Sequence, residues 1–191
     1  TIDMTKGITG TIPVANGGTG VASGTSGQFL KFTGSTTIAS AAAPGKIGQV
    51  VSASSTSATT TSSTSFVTTG LTVTIPSLAA TSSKVLIQVD SPTCYEDNSP
   101  NSYVYCTLYA NIGSAGNTDL GASSSKGFSG WYESGIAYGD LGWNASFNFL
   151  HSPSSTADVV YTVYMRASTS SASYVWGLEG KGTITAMEVL A

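Results

Sequence analysis

The sequence predicts an all-β protein, an antiparallel β-sandwich of jelly-roll type carried on an extended neck. From residue 66 onward, apolar side chains recur at every second position, which is the spacing of strands with one buried face. Breaks rich in Pro, Gly and Ser separate these runs, and the 3.6-residue spacing of an amphipathic helix is absent from the sequence. Several short strands at such intervals favour a sandwich, and we expect it to be jelly-roll-like.

Composition divides the chain into a neck, residues 1–45, and a head, residues 46–191. The neck is rich in Gly, Thr, Ala and Ser, and its apolar residues are isolated. A single copy buries too little apolar surface to offset the entropy of ordering it, so we expect several copies to wind together. Residues 10–14 and 27–31 are predicted as short strands within the neck.

The head begins with a hydroxyl-rich segment and continues with regular strands. Residues 52–65 are almost entirely Ser, Thr and Ala, and they are predicted as a polar outer strand or a loop. The segments with a period of two follow in order: 71–76, 85–89, 104–112, 127–133, 144–151, 158–167, 174–178 and 183–190.

The charge balance excludes some classes of partner. Charged residues make up 9% of the chain, with 7 basic and 10 acidic groups and a formal net charge of −3, whereas Ser and Thr supply 58 of the 191 residues. A hydrophobic share of 40% is normal for a globular protein, so the chain should fold with a surface of hydroxyl and amide groups. We expect no nucleic-acid partner because there is no basic patch. No apolar run approaches the ~18 residues of a membrane span, so we also expect no membrane insertion.

The sequence offers no catalytic constellation and no cofactor motif. The single histidine, His151, precedes Ser152-Pro153 and is predicted at a turn or on the surface. Residues 127–130, Gly-Phe-Ser-Gly, lack the Gly-x-Ser-x-Gly spacing of a nucleophile elbow. Glu133, Asp140 and Glu179 form no preferred pair for glycoside hydrolysis. We therefore expect a protein that is not an enzyme.

Two cysteines flank a polar loop, residues 95–102. If Cys94 and Cys106 lie on adjacent strands of one hairpin, a disulfide would close a loop of roughly a dozen residues and contribute about 3 kcal/mol. The alternative is two reduced, partly buried thiols. With one histidine and no close ligand spacing they make no zinc site. A hard-cation site at 96–98 is outweighed by a solvated loop tip, so we expect no metal.

An aromatic block at residues 128–144 is the best candidate binding region. Aromatic faces beside acidic and amide groups offer flat apolar area with polar anchors, as a sugar or a protein epitope requires. The alternative is that both tryptophans belong to the core or to an interface between copies. Loops 96–102 and 168–173 are further candidates. The candidate receptor-binding residues of the block are Trp131, Tyr132, Glu133, Tyr138, Asp140 and Trp143.

The neck and the closing strand resemble bacteriophage tail-fibre and other virion-fibre proteins. The neck motif, residues 7–20, reads Gly-Ile-Thr-Gly-Thr-Ile-Pro-Val-Ala-Asn-Gly-Gly-Thr-Gly. Family-like runs follow at 27–31 and 45–51, and residues 182–190 look like the closing strand of many fibre tips. The resemblance covers both ends of the chain, while the middle is similar only in texture.

This resemblance implies a virion location and a homotrimer that attaches the particle to a host-surface glycan or protein. Because the first residue is Thr1, we expect a missing upstream part that joins the head to other tail or head proteins of the virion. The second face of the strand predicted at 104–112 supports the trimer, since its aromatic row could pack around a three-fold axis. The row consists of Tyr103, Tyr105 and Tyr109.

Three alternatives remain open from the sequence. The tyrosine row could simply decorate an exposed face. The protein could be a purely structural virion component, such as a head-decorating fibre or a tail appendage, without receptor binding. A depolymerising enzyme is disfavoured because paired acids are scarce.

Overall fold

The structure is a computed structural model that describes residues 25–26, 28–35, 37–41, 46–97, 102–121, 126–132, 142–170 and 173–190. The chain forms two compact units, Thr1–Gly45 and Lys46–Ala191. None of the described residues forms a helix long and apolar enough to cross a lipid bilayer.

The described part of the first unit is a β-hairpin. Strand β1 (Phe29–Phe32) pairs antiparallel with β2 (Ile38–Ala41). The strand predicted at 27–31 is therefore present but begins two residues later, whereas the strand predicted at 10–14 lies outside the described residues. Phe29, Leu30 and Phe32 are each more than half exposed, so the hairpin leaves large apolar side chains in solvent.

The second unit is built from antiparallel strands, which confirms the predicted all-β class. Its strands are β3 (Ile47–Ser55), β4 (Thr59–Thr61), β5 (Val67–Ile75), β6 (Lys84–Asp90), β7 (Thr93–Asp97), β8 (Tyr103–Ile112), β9 (Asn117–Asp119), β10 (Ser129–Tyr132), β11 (Gly142–Trp143), β12 (Phe147–His151), β13 (Val159–Ala167), β14 (Ser173–Glu179) and β15 (Gly182–Val189).

Eight of these strands form four consecutive pairs that act as four long, kinked strands. The sheet orders β12-β6-β15-β3 and β11-β7-β14-β4 are the same when β3 is followed by β4, β6 by β7, β11 by β12 and β14 by β15. The breaks in neighbouring strands lie side by side. Gly182 pairs with Ser55, the last residue of β3, and Trp176 pairs with Thr59, the first residue of β4. At the kink, Gly177 has a φ of +81°, and a Cβ there would stand 2.9 Å from the Ser57 carbonyl oxygen. Only glycine fits this approach without strain.

The strand pairing is that of a jelly roll. The kinked sheet faces a second sheet with the order β10-β8-β13-β5, to which β9 adds along β8. Counted along the chain, the first long strand pairs with the last, the second with the seventh, the third with the sixth and the fourth with the fifth. This nested pairing of eight strands in two sheets confirms the predicted jelly-roll-like sandwich.

The core lies between the inner faces of the two sheets. In β5, β6 and β13, alternate residues are almost fully buried, as the period of two predicts. Burial of each such aliphatic side chain contributes roughly 1.5–3 kcal/mol. The largest fully buried side chains include Trp176, Tyr161, Tyr174, Leu71, Ile75, Ile87 and Leu108.

The strand directions give the unit two distinct ends. At the proximal end the first and last strands meet, because the Leu190 amide donates a hydrogen bond of 2.9 Å to the Lys46 carbonyl oxygen. At the distal end β7, β10 and β13 terminate and β8, β11 and β14 begin. Sites built from these strand termini are therefore displayed opposite the point where the chain enters the unit.

One predicted strand differs in detail from the structure, whereas the hydroxyl-rich segment agrees in part with its strand alternative. The strand expected over 144–151 is interrupted, with β11 before residue 144 and β12 from residue 147. Part of the hydroxyl-rich segment 52–65 is regular edge strand, in β3 and β4, because its Ser and Thr side chains alternate between the rim of the core and solvent.

Candidate functional site

The edge strand β10 displays two large aromatic side chains at the distal end. Trp131 pairs with Val104 and Tyr132 pairs with Tyr103 on the neighbouring strand β8. The two side chains are 42% and 41% exposed. Because neighbouring residues of a strand point to opposite faces, one short strand offers an aromatic surface on each side of its sheet.

On the outer face, Tyr132 is part of a tyrosine cleft. We use this name for a cavity of about 260 Å³ lined by Tyr103, Tyr105, Lys126, Gly127, Phe128, Ser129, Gly130 and Tyr132. The Tyr103 and Tyr132 rings lie 4.3 Å apart at 30°, and the Tyr103 and Tyr105 rings are stacked at 5.6 Å and 8°. The cleft therefore presents contiguous aromatic area with phenol groups at its margin.

Gly130 makes this arrangement possible. It pairs with Tyr105 across the two strands, and a Cβ at Gly130 would stand 2.9 Å from Cδ1 of that ring. Because Gly130 has no side chain, the Tyr105 ring can pack directly against the backbone of β10. The floor of the cleft therefore depends on a glycine on one strand and a tyrosine on the next.

Two cations hold or border the rings. The Arg166 guanidinium lies 4.6 Å from the centroid of the Tyr105 ring and 5.3 Å from that of Phe66. Its Nη1 also donates to the Ala167 carbonyl oxygen at 3.2 Å. Lys126 Nζ lies 6.0 Å from the Tyr103 ring centroid. Cation–π contacts of this kind contribute about 0.5–1 kcal/mol each. Arg166 therefore helps to hold the Tyr105 ring, and Lys126 the Tyr103 ring.

On the inner side of the same strand, Trp131 rests on a buried support. Its ring is stacked on Trp143 at 6.2 Å and 10°, and Trp143 meets Tyr174 edge-on at 6.1 Å. Trp143 and Tyr174 are buried, and the Tyr174 hydroxyl donates to Ser102 Oγ at 2.7 Å. Trp143 thus belongs to the core, whereas Trp131 is displayed on it.

Three of the six candidate receptor-binding residues are therefore placed, and three are not. Trp131 and Tyr132 come together on β10, and Trp143 supports the first of them. Glu133, Tyr138 and Asp140 lie outside the described residues, as do residues 98–101 and 171–172 of the loops proposed at 96–102 and 168–173. The side chains of the cation hypothesis at 96–98 also lie outside the described part of the chain.

The tyrosine row is on the outer face, as predicted, but much of it is covered by the same chain. Tyr105 is buried beneath Arg166, and Tyr109 is half-buried against Tyr164, at 4.2 Å, and Phe66, at 6.4 Å. Tyr103 is exposed. The assignment of these residues to a trimer interface stays a prediction.

The two cysteines do not lie on one hairpin. Cys94 is on β7 of the kinked sheet and Cys106 on β8 of the facing sheet, and both are free, buried thiols. The condition on which the disulfide prediction depended is thus not met. Burial raises the pKa of the Cys94 thiol to about 11 and raises that of Cys106 further, with Cys94 nearby adding to the effect. Such thiols are poor nucleophiles at neutral pH.

His151 is not the turn or surface residue that the sequence suggested. It ends β12 and is half-buried, and its Nδ1 lies 2.9 Å from the hydroxyl of the buried Tyr161. Burial lowers the pKa of His151, so the neutral imidazole is favoured. Its partner, Tyr161, is a core phenol whose own pKa is raised by burial. The pair is therefore a hydrogen bond between two neutral groups. Within the described ranges, no group of three His, Cys, Asp or Glu residues could hold a metal ion.

Sequence reasoning missed Lys126 and Glu188. Lys126 directly precedes the aromatic block, and its position beside a glycine-rich edge strand was the available signal. Glu188 occupies an inward position in β15, two residues after the buried Ala186, and is itself only 2% exposed. Its alternation with Ile184 and Ala186 could have identified a buried carboxylate.

Comparisons with known proteins add little to this description. No protein-family model matches the chain, and no curated protein matches it. Similar solved structures are the infectious bursal disease virus VP2 subviral particle and the Gx and Gt strains of the same virus, each 14% identical over 84% of this chain with a TM-score of 0.34. This chain spans only 41% or 42% of those chains. Similarity at this level carries no conclusion about function.

Proposed function

We propose that this chain is the head of a virion fibre that attaches a phage particle to a host-surface glycan through its distal aromatic surface, without covalent chemistry. The observation that carries the proposal is the pair Trp131 and Tyr132, adjacent and exposed on opposite faces of β10, each backed by ordered aromatic side chains. Rigid rings on an edge strand can bind a flat ligand with little ordering cost.

A glycan is the ligand class that fits this chemistry. The C–H faces of a sugar ring pack on aromatic rings, while its hydroxyl groups need nearby donors and acceptors. Trp131 and the tyrosine cleft supply the rings, and the Tyr103 and Tyr132 phenols supply hydroxyl groups. Among the described lining residues of the cleft there is no His, Asp or Glu, so acid–base chemistry has no group to carry it there.

The virion assignment rests on the neck motif at residues 7–20, which resembles phage fibres, and on the fold only by analogy. Jelly rolls occur in viral capsid and lectin domains, and both of these display binding loops on a rigid sandwich. Because one fold hosts many functions, this analogy agrees with a virion role but does not assign one.

Self-association into a homotrimer is supported by an apolar row on the other outer face. The row crosses the kinked sheet in register from Val50 through Met187 and Leu86 to Leu150. Its end members are 56% and 48% exposed. Contiguous exposed apolar surface marks contact sites, and three linked copies would multiply weak glycan contacts.

Adsorption to cells tests the proposal. The full chain, fluorescently labelled, is expected to bind some bacterial strains saturably and to be displaced by unlabelled protein. Trp131→Ala should weaken adsorption about tenfold or more, since each 1.4 kcal/mol of lost contact costs a factor of ten. Phe29→Ala, which removes an exposed ring from the first unit, is the matched control and should adsorb as the wild type does.

The contrary outcome favours the structural alternative. If folded protein adsorbs to no strain in a broad panel, the chain is better explained as a virion component that only assembles. The apolar row is the observation that favours this second candidate, because assembly requires it and receptor binding does not.

A further inference from the structure

We propose that a second cavity, at the proximal end of the head, binds one neutral sugar ring through the hydroxyl groups of that ring. We call it the proximal cavity. Asn111, which lines it, lies on β8 eight residues from Tyr103 of the tyrosine cleft, about 26 Å away at the rise of an antiparallel strand. The inference is therefore independent of the glycan contact proposed at the distal surface.

The floor of the proximal cavity is a row of three residues on the outer face of the sheet. Val160 of β13 pairs with Thr74 of β5 on one side and with Asn111 of β8 on the other. The cavity has a volume of about 430 Å³. This volume lies within the roughly 300–1,000 Å³ of sites that hold small molecules, so one sugar ring can enter.

Asp158 ties together the loops that form the walls of the cavity. Its carbonyl oxygen accepts a hydrogen bond of 2.9 Å from the amide of Gly113, in the turn after β8. Its carboxylate Oδ1 accepts from the Ser77 amide at 2.8 Å and from Ser77 Oγ at 3.2 Å, which fixes the loop after β5. A Cβ on Gly113 would stand 3.2 Å from the Cβ of Ala157, so the two walls are closely packed. The carboxylate is therefore oriented by its own chain before a ligand arrives.

The fixed walls leave several polar groups available to a ligand. Within the described part of the chain, Asp158 Oδ2 accepts no hydrogen bond, because both donors of Ser77 reach Oδ1. Asn111 Oδ1 accepts from the Gly116 amide at 3.3 Å, which leaves its Nδ2 as a donor. Thr74 and Ser114 also line the cavity and add two hydroxyl groups. The site thus offers an oriented acceptor, a donor and two groups that can act as either.

This lining selects a neutral, hydroxylated ligand. Among the described lining residues, Asp158 carries a charge and none is Lys, Arg or His, so an anion would be repelled. A sugar ring carries hydroxyl groups that donate to the carboxylate and accept from the Asn111 amide. Hydrogen bonds to a charged acceptor are roughly twice as strong as neutral ones. The side chains of Val160 and Ala157 give the C–H groups of the ring an apolar contact.

An NMR titration of the full chain tests the inference, because it reports where a sugar binds. The ¹⁵N-labelled protein would be titrated with glucose, galactose and mannose, and with glucuronate and glucosamine as charged comparisons. We expect at least one neutral hexose to shift the amide resonances of Gly113, Ser114 and Asp158 saturably. Glucuronate should bind less tightly than the neutral sugar.

Two isosteric substitutions supply the matched comparison. Asp158→Asn keeps an oxygen for the Ser77 amide and replaces the remaining carboxylate oxygen by a donor, so affinity for the neutral sugar should fall at least tenfold. Asp119→Asn makes the same change of charge on the same sheet face, at a carboxylate held by Thr107 Oγ1 at 2.6 Å and the Gly121 amide at 2.9 Å, and should bind as the wild type does. Thr74→Val, on the exposed strand surface, tests the site without altering a loop and should weaken binding severalfold.

The outcomes separate this inference from the proposed function. Absence of a saturable shift at 113, 114 and 158 with every neutral hexose overturns it, as does unchanged affinity in both Asp158→Asn and Thr74→Val. Tighter binding of glucosamine that high salt abolishes also overturns it, because the carboxylate would then pair with a cation. Trp131→Ala should leave these shifts unchanged while it weakens adsorption to cells, so either proposal can fail while the other stands.

Discussion

The two outer faces of the head differ in chemistry although their strands share one alternating pattern. On the sheet β10-β8-β13-β5, rings and cations follow one another across the strands, from Tyr132 to Tyr103 and from Tyr105 through Arg166 to Phe66. On the kinked sheet, the corresponding surface has the apolar row beside rows of hydroxyl and amide groups.

This difference shows which residues are free to specify a role. The side chains of both inner faces are aliphatic and aromatic, and they fill the core. The side chains of the outer rows do not have to fill the core, so their chemistry is free to differ between the two faces. One face has aromatic rings in contact with cations, and the other has exposed aliphatic groups.

The largest effect on stability is expected at Glu188, whose carboxylate accepts hydrogen bonds at the proximal end of the unit. Glu188 Oε1 accepts from the Ala79 amide at 2.7 Å, and its Oε2 accepts from Gln49 Nε2 at 3.0 Å. Glu188→Ala removes both of these hydrogen bonds to a charged acceptor from a part-buried site, so the free energy of unfolding should fall by about 2 kcal/mol. Urea denaturation measures it, with the exposed Glu179→Ala as control; equal loss in both variants would contradict the role of Glu188.

The same carboxylate should make stability depend on pH. Burial alone would raise the pKa of Glu188, but hydrogen bonds from the Ala79 amide and from Gln49 Nε2 outweigh it and hold the pKa below the usual 4.5. The stabilisation is therefore present above the unfolded-state pKa and is lost as pH falls through the lower folded-state value. Wild type should lose more stability than Glu188→Gln between about pH 5 and pH 3, and parallel curves would show that Glu188 is not responsible.

A smaller effect is expected on the aromatic face. Arg166→Ala removes the guanidinium between Tyr105 and Phe66 and should cost about 1 kcal/mol of unfolding free energy. Arg166→Lys keeps the charge but loses the planar contact, so it should recover only part of this. Lys84→Ala, on the other outer face, should change stability by less than about 0.5 kcal/mol. If the variants at 166 and 84 behave alike, the rings are not held by the cation.

The smallest change in stability is expected from a charge placed in the apolar row, which should nevertheless change the mass of the oligomer strongly. Leu150→Lys places a charge in the exposed apolar row, with less than about 0.5 kcal/mol expected for the isolated chain. Sedimentation velocity should nevertheless show the wild type as an oligomer of the 19.3 kDa chain and the variant as a monomer. Asn148→Lys lies two residues away on the same strand face and should remain oligomeric. A monomeric wild type would exclude self-association.

The alternation of apolar residues was sufficient to predict the inner faces of the sandwich. Val104, Cys106 and Leu108 are buried as the period of two requires, because this pattern depends only on neighbours along the strand. The jelly-roll pairing was also within reach, since the number and spacing of strands limit the arrangements available.

Features that depend on distant residues were not predictable. β7 and β8 are separated by the length of a hairpin loop, yet they belong to different sheets, which separates Cys94 from Cys106. The coverage of Tyr105 comes from Arg166, far along the chain but adjacent in register. The tyrosine cleft likewise needs the register of β10 on β8, which spacing alone does not fix.

The meeting of the first and last strands at the proximal end has a mechanical consequence. Tension that enters the head at Lys46 and is resisted at the distal end runs along β3, which is paired with β15 from Ile47 to Ser55. Antiparallel hydrogen bonds lie across the strands, so such a pull loads them together in shear and does not open them one at a time. A unit loaded in this way should resist mechanical unfolding up to a high force.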